Sequence, residues 1–296
     1  MNFFLNGRIV SEEKAAVPVA DHGFLFGDGV YETFRTHGGR PFLLEAHLVR
    51  LERSLRALRF PEIPRGYFRR AVTAVIRANR PSDLAIRITV SRGLGPRDPL
   101  LCRRPNVVLT VTPPPFYSES LYRAGMTAAI VRVRRNDPRA LPPEIKSTST
   151  LNTVMGRMQA SLARADEGIL LGLDGNVAEG TVSNVFAVKR GVVTTPQLDG
   201  RLLRGVTRGW VLSLARQARL RVRETRLPLR ELAAADEMFL TSSLMEIMPV
   251  SRLIFTEGRR RVVRFGPYGD AAGFGGPVTR MLMRRYADSI RRQASR

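Results

Sequence analysis

Lysine is almost missing from this 296-residue chain: lysine and arginine together number 48, yet only Lys14, Lys146 and Lys189 are lysines. Arginine stays protonated and cannot act as an amine nucleophile, so amine chemistry is open to the chain at three positions only. Cysteine is scarcer still. The single Cys102 excludes an internal disulfide and any cysteine-rich metal site, and with only His22, His37 and His47 for imidazole a zinc centre is not expected. No apolar run approaches the length of a membrane span. The opening "MNFFLNGRIVSEEK" lacks the positive start, apolar core and small-residue cleavage site of a signal peptide, and the expectation is a cytoplasmic protein.

What is abundant is positive charge, a formal +22 at neutral pH. Such a balance suits nucleic acid, an anionic membrane surface or acidic ligands. The arginines are spread along the chain, with small clusters in "RRNDPR", "EGRRRVVR" and "MRRYADSIRRQASR", and no zinc finger, aromatic RNP-like strand or isolated basic tail accompanies them. Nucleic-acid binding is therefore the remote alternative for this sequence. The ordinary apolar and charged content, 44% and 25%, is that of a globular chain, and its length predicts two domains.

The chain opens with strands and hairpins, "FFLNGRIV" and "GVYETFRTHGGRPFLL". A helix, "EAHLVRLERSLRALRF", then sets Leu48, Leu51, Leu55 and Leu58 on one face. A second helix, "GYFRRAVTAVIRAN", leads to the strands "LAIRITVSRG" and "NVVLTVTP". The proline-rich "PPPFYSES" follows, and it predicts an N-terminal domain over 1–114, a linker over 115–121 and a C-terminal domain over 122–296. The C-terminal part mixes strands ("GILLGL", "NVAEGTVSNVFAV", "VVTTP", "EMFLTSS") with helices ("TRGWVLSLARQARL", "PVTRMLMRRYADSIRR"). Regular βαβ alternation is missing, so the fold class is α+β.

The three lysines differ in setting. Lys14 lies in the polar "SEEKAAV" and Lys189 in "VFAVKRGVVTTP", where K-R-G between β-branched runs reads as a hairpin turn; both read as surface residues. Lys146 follows Pro142 and Pro143 in a short extended piece. After it, Leu151, Val154, Met155, Met158 and Leu162 repeat with the spacing of a buried helix face. An amine at the edge of packed structure is suited to a lowered pKa and to Schiff-base chemistry with a carbonyl. If the carbonyl belongs to pyridoxal phosphate, the chain offers the remaining parts. Val206 and Thr207, after Gly205, open an amphipathic helix whose amides suit a phosphate. Glu179 shares a strand face with Val177. Arg50 shares a helix edge with His47 and Ser54, and Ser242 and Ser243 close a strand.

In their order, "DHGFLFGDGVYETFRTHGGRPFLLEAHLVRLERS", "IKSTSTLNTVMGRMQA", "DGNVAEGTVSNVFAV", "TPQLDGRLLRGVTR" and "ADEMFLTSSLMEIMPV" resemble the class IV, or fold type IV, pyridoxal-phosphate enzymes: branched-chain aminotransferases, D-amino-acid aminotransferases and aminodeoxychorismate lyase. The resemblance runs from Asn2 to the final helix. It implies a small N-terminal α/β domain and a larger β-rich pseudo-barrel domain with pyridoxal 5'-phosphate between them, normally in a homodimer, and no metal. Lys146 would be the Schiff-base lysine and Glu179 the partner of the pyridine nitrogen. Arg50 would bind the phosphate with Val206, Thr207 and Ser243. Tyr31 and Arg97 match substrate-pocket positions. Two departures stand out: Thr150 and Leu151 replace a tyrosine that many branched-chain members carry after the lysine, and Asp98 replaces the histidine that follows the arginine in D-amino-acid enzymes. The implied activity is transfer of an amino group between an aliphatic, branched-chain-type amino acid and a 2-oxo acid, with aminodeoxychorismate lyase as the alternative.

Overall fold

The computed structural model describes residues 1–80, 83–256, 261–266 and 275–294, so part of the basic clusters near 257–264 and at the C-terminal end lies outside the described residues. The chain divides into two compact units: Met1–Pro115 with Ile145–Thr150 and Gln293–Arg296, and Phe116–Glu144 with Leu151–Arg292. The short segment bearing Lys146, expected with the C-terminal part, is thus counted with the first unit.

In the first unit β1 (Asn2–Leu5), β2 (Arg8–Ser11), β3 (Gly29–His37), β4 (Arg40–Pro41), β5 (Ala85–Ser91) and β6 (Asn106–Thr112) form an antiparallel sheet in the order β2-β1-β6-β5-β3-β4. Helices α1 (His22–Phe26), α2 (Leu44–Ala57) and α3 (Arg65–Ala78) accompany it. The period-two pattern sends Val30 and Phe34 of β3 and Ile86, Ile88 and Val90 of β5 into one core with Leu48, Leu51 and Leu55 of α2 and Phe68, Val72 and Val75 of α3. Glu32 shares that inward face. Tyr31, Arg87 and Thr89 alternate onto the other one, Tyr31 pairing with Thr89 across the strands.

The second unit holds a mixed sheet of β7 (Met126–Arg134), β8 (Glu167–Leu171), β9 (Asn176–Gly180), β10 (Asn184–Lys189), β11 (Val192–Pro196), β12 (Val222–Thr225), β13 (Leu227–Pro228), β14 (Glu237–Ser242), β15 (Glu246–Phe255) and β16 (Arg261–Arg264). Its order is β12-β11-β10-β14-β15-β7-β8-β9-β13, with β16 against β15. Five helices join it: α4 (Glu119–Ala124), α5 (Leu151–Leu162), α6 (Val206–Gln217), α7 (Leu229–Ala233) and α8 (Pro277–Ala294). The K-R-G hairpin forms as expected: Arg190 and Gly191 take φ of 47° and 75°, the left-handed pair of a two-residue turn. The expected linker is shorter than its composition suggests, because Ser118 accepts the Leu121 N–H and caps α4 from Glu119.

Helix α5 forms where the periodicity places it, but with the opposite face inward. Leu151, Val154, Met155, Met158 and Leu162 are 46–85% exposed, and its buried residues are Gly156 and Ala160. The cause is the small residues themselves. A Cβ on Gly156 would sit 3.1–3.6 Å from Thr181, Leu170 and Val131, so a bare backbone lets the helix lie directly on β7 and β8. Among the described residues no helix is long and apolar enough to cross a membrane.

Candidate active site

Lys146 is gripped by its own backbone. Its N–H donates to Ser54 Oγ of α2 at 3.2 Å, and its carbonyl accepts the Tyr31 N–H at 2.9 Å. The hydroxyl run after it acts as staples: Thr148 N–H donates to Gly29 O at 2.8 Å, and the Thr148 and Ser149 hydroxyls donate to Gly27 O at 2.7 and 3.1 Å. Gly27 has φ of 67°, and its Cβ would meet Ser149 Oγ at 2.8 Å, so glycine is required there on both counts. The other two lysines behave as the sequence predicts. Lys14 is exposed in a 3₁₀ turn and Lys189 is an exposed partner of Asp236.

The Lys146 ammonium lies 4.4 Å from the centre of the Tyr31 ring, and the Arg87 guanidinium lies 3.7 Å from the same centre. The Lys146 charge is the main cause that pulls the Tyr31 phenol below its ordinary value; burial opposes it and Arg87 adds to it. Burial also disfavours the charged form of Arg87. Its Nε donates to Thr89 Oγ1 at 3.1 Å and the Tyr31 phenol is a second partner, while no carboxylate pairs with it among the described residues. Arg97 stands exposed in the loop after β5, and the structure does not bring it into the Lys146–Tyr31–Arg87 group.

Next to Tyr31, Glu32 points the other way and is fully buried. Its Oε1 accepts Arg50 Nε, and its Oε2 accepts both Arg50 Nη2 and His47 Nδ1, each at 2.7 Å. Arg50 is 7% exposed, which rules out a solvated arginine on the helix surface. Burial by itself would raise the Glu32 carboxyl, but Arg50 and then His47 overcome it and bring it down to about 2. Burial also pushes the imidazoles down, His37 to about 4 and His47 in the same direction against its Glu32 partner.

These shifts fix the sign of the acid response. Between the ordinary 6.5 and the folded value of about 4, an unfolded His37 holds a proton that the folded one does not; between 4.5 and about 2 the same is true of Glu32. Stability is therefore complete above about pH 6.5 and is lost stepwise as pH falls through these windows. Urea unfolding midpoints should decline from pH 7 to pH 3, and a flat profile over that range would contradict the assignment.

In the second unit Glu179, 6% exposed, is held at both oxygens. Oε1 accepts Arg135 Nε at 2.7 Å; Oε2 accepts the Leu203 N–H at 3.1 Å and Asn184 Nδ2 at 3.4 Å. Arg135 donates in turn to Asn152 Oδ1 at 3.3 Å. Asn184 also donates to Leu203 O at 3.1 Å, and a Cβ on Gly205 would overlap its Oδ1, so one side chain ties Glu179 to the start of α6. Gly205 caps α6 in an extended conformation without a side-chain hydrogen bond, so the first-turn amides of Val206 and Thr207 remain donors for an outside acceptor. Thr207 is 3% exposed. Ser243 lies half-buried in the turn between β14 and β15. Just before that turn, the Thr241 hydroxyl is buried without a hydrogen-bond partner, opposite Asn184 on the neighbouring strand.

Glu32, Arg87, Arg135, Asn184 and Thr241 carry no assignment from the sequence, and Ser54 enters there only as a neighbour of Arg50 on its helix edge. One signal was present: strand alternation puts Glu32 among Val30 and Phe34, and a carboxylate on a core face needs a cationic partner. Arg135 gave none, since it reaches Glu179 from a different stretch of chain; Asn184 lies five residues from Glu179, but its spacing alone does not mark the contact.

The residues fit pyridoxal 5'-phosphate by their donor chemistry. Lys146 offers an amine and Arg50 a buried guanidinium; Glu179 offers a fixed carboxylate, the start of α6 open amides and Thr241 an orphan hydroxyl. Together with a small α/β unit and a larger β-rich one, this is the fold type IV class of pyridoxal-phosphate enzymes. The family described as Amino-transferase class IV matches residues 29–253, and the chain belongs to it. A putative branched-chain-amino-acid aminotransferase of Methanocaldococcus jannaschii is 40% identical over 255 residues, covering 84% of this chain and 87% of the relative. An aminodeoxychorismate lyase of Bacillus subtilis is 33% identical over 255 residues, covering 84% and 86%. Among solved structures, the branched-chain aminotransferase of Thermoproteus uzoniensis crystallised with norvaline superposes with a TM-score of 0.86 at 29% identity, covering 98% of this chain and 94% of that one.

Proposed function

We propose that the protein is a pyridoxal 5'-phosphate-dependent aminotransferase that moves an amino group between an aliphatic, branched-chain-type amino acid and a 2-oxo acid. The observation that carries this reading is the setting of Lys146: of the three lysines it alone is withdrawn from the surface, pinned at N–H and carbonyl, with Nζ against Tyr31. The higher identity to the branched-chain relative, 40% against 33% for the lyase, favours transamination.

When bound, the cofactor supplies an electron-accepting ring. Lys146 would hold it through its amine, and the same amine would move the α-proton of the substrate. Glu179, held by Arg135 and the Leu203 amide, keeps a negative charge at the ring nitrogen. Arg50, the Val206 and Thr207 amides, the Thr207 hydroxyl and Ser243 hold the phosphate. Tyr31 lines the substrate side. Arg87, a half-buried cation with no carboxylate partner among the described residues, receives the second carboxylate of a dicarboxylic oxo acid such as 2-oxoglutarate. Arg97 is reserved for a substrate carboxylate reaching the exposed loop after β5.

We further propose a homodimer. Its support is the exposed apolar side chains, Leu151, Met158 and Leu162 of α5 in one unit and Phe24, Leu25 and Phe26 of α1 in the other, all at least 53% exposed in the single chain. Sedimentation at the mass of one chain would refute it.

A half-reaction tests the activity. L-Leucine, L-valine, L-isoleucine or D-alanine, supplied alone, should convert the bound cofactor's absorption to that of pyridoxamine 5'-phosphate, and 2-oxoglutarate should reverse it. If no amino acid of either hand does so while aminodeoxychorismate yields pyruvate and 4-aminobenzoate, the enzyme is a lyase.

A further inference from the structure

Arg50, His47 and Ser54 line one edge of α2, all at most 7% exposed, and Glu32 meets the first two with three hydrogen bonds of 2.7 Å. A guanidinium has one plane, and two parallel bonds through Nε and Nη2 fix it; a single bond would let it swivel about its long side chain. His47 locks the same carboxylate from the other side and, because burial lowers its pKa, adds a donor without adding a cation near neutral pH. We infer that Glu32 is a positioning residue for cofactor binding: it sets the plane in which Arg50 meets the phosphate, with His47 fixing Glu32 in turn. This rests on the reading above that Arg50 binds the phosphate.

A plain counter-ion predicts the opposite result. Glu32 places a negative charge beside the arginine that receives a phosphate dianion. If it only balanced charge, its removal would relieve repulsion and tighten phosphate binding. If it orients Arg50, its removal loosens phosphate binding although the local charge becomes more favourable. The two roles therefore differ in sign.

The test compares pyridoxal 5'-phosphate with pyridoxal, which lacks the phosphate, by absorption titration of the full-length protein after removal of cofactor. Glu32→Gln should weaken pyridoxal 5'-phosphate about tenfold, the scale of one charge-assisted hydrogen bond, and leave pyridoxal within about threefold by the same reasoning. Glu32→Asp keeps the charge but withdraws the carboxylate by one methylene, and should show the same selective loss to a smaller extent; it decides the matter if Glu32→Gln does not fold. Unchanged or tighter pyridoxal 5'-phosphate binding in these variants overturns the inference, and so does a parallel loss of both ligands, which marks a role in folding alone. Arg50→Ala separates this failure from that of the underlying reading. If it leaves the preference for the phosphorylated form intact, Arg50 is not at the phosphate and the premise falls; if it abolishes the preference while the Glu32 variants keep it, only the positioning role falls.

Discussion

Lys146→Ala should leave a folded protein with turnover reduced about 10⁴-fold, the upper end of what a positioned acid–base group contributes. The size follows from the two tasks given to one amine: it tethers the cofactor covalently and it moves the α-proton. Folding should survive. The contacts that fix this segment use the Lys146 N–H and carbonyl and the hydroxyls of Thr148 and Ser149, all of which alanine leaves in place. The ring contact with Tyr31 is lost, and the Tyr31 phenol should rise towards its ordinary value, since the Lys146 charge is the chief cause of its depression. The scarcity of lysine makes the complementary experiment clean. Borohydride reduction of the wild-type holoenzyme should attach the cofactor to one peptide, residue 146, out of only three that could carry it. Attachment at Lys14 or Lys189, or turnover within tenfold of wild type in Lys146→Ala, would remove the basis of the proposed mechanism.

The scarcity that exposes Lys146 also explains what could be read from the sequence. Its candidacy came from composition, and the strands and helices of the first unit came from periods of two and 3.6 that the structure honours: Leu48, Leu51 and Leu55 are buried as the leucine spacing implies. The periodicity failed at α5, where it found the helix but assigned the wrong side. Period detects an apolar face without saying what covers it. In α5 the sheet is met by Gly156 and Ala160, while the larger side chains stay outside the single chain. Strand β15 was missed because Pro249 and the polar Ser251–Arg252 pair interrupt its apolar run, although ladders to β14 and β7 hold it as a strand. At the candidate site, the residues proposed to meet the cofactor carry recognisable order in the chain. Those that hold them in place do not: Arg135 reaches Glu179 across 44 positions. Such pairings belong to tertiary structure, and local spacing has no way to announce them.

Glu179→Gln should retain cofactor but lose roughly 10²-fold or more in turnover, the scale seen when one preorganised electrostatic partner is removed. The substitution keeps volume and shape, so the fold should hold, and the Leu203 amide can still donate to a side-chain oxygen in the position of Oε2. Arg135 is the stricter partner. Its Nε donates to Oε1 at 2.7 Å with both side chains largely buried, and an amide nitrogen turned towards it would leave two donors facing each other. The substituted side chain should therefore present its oxygen to Arg135 and its NH2 towards the Leu203 N–H, the reverse costing more. Either orientation disturbs one of the two contacts that aim the group. A neutral amide would bring no charge to the place proposed for the ring nitrogen, so proton removal by Lys146 should slow. The loss should therefore fall on kcat, with cofactor affinity changed little because the phosphate contacts are elsewhere. Asn184→Ala offers a graded comparison: it removes the 3.4 Å contact and the tie to Leu203 O but leaves the carboxylate charged, and should cost less than the charge itself. Equal turnover in Glu179→Gln and wild type would show that Glu179 is a structural acid bound to Arg135 and that the ring nitrogen has another partner.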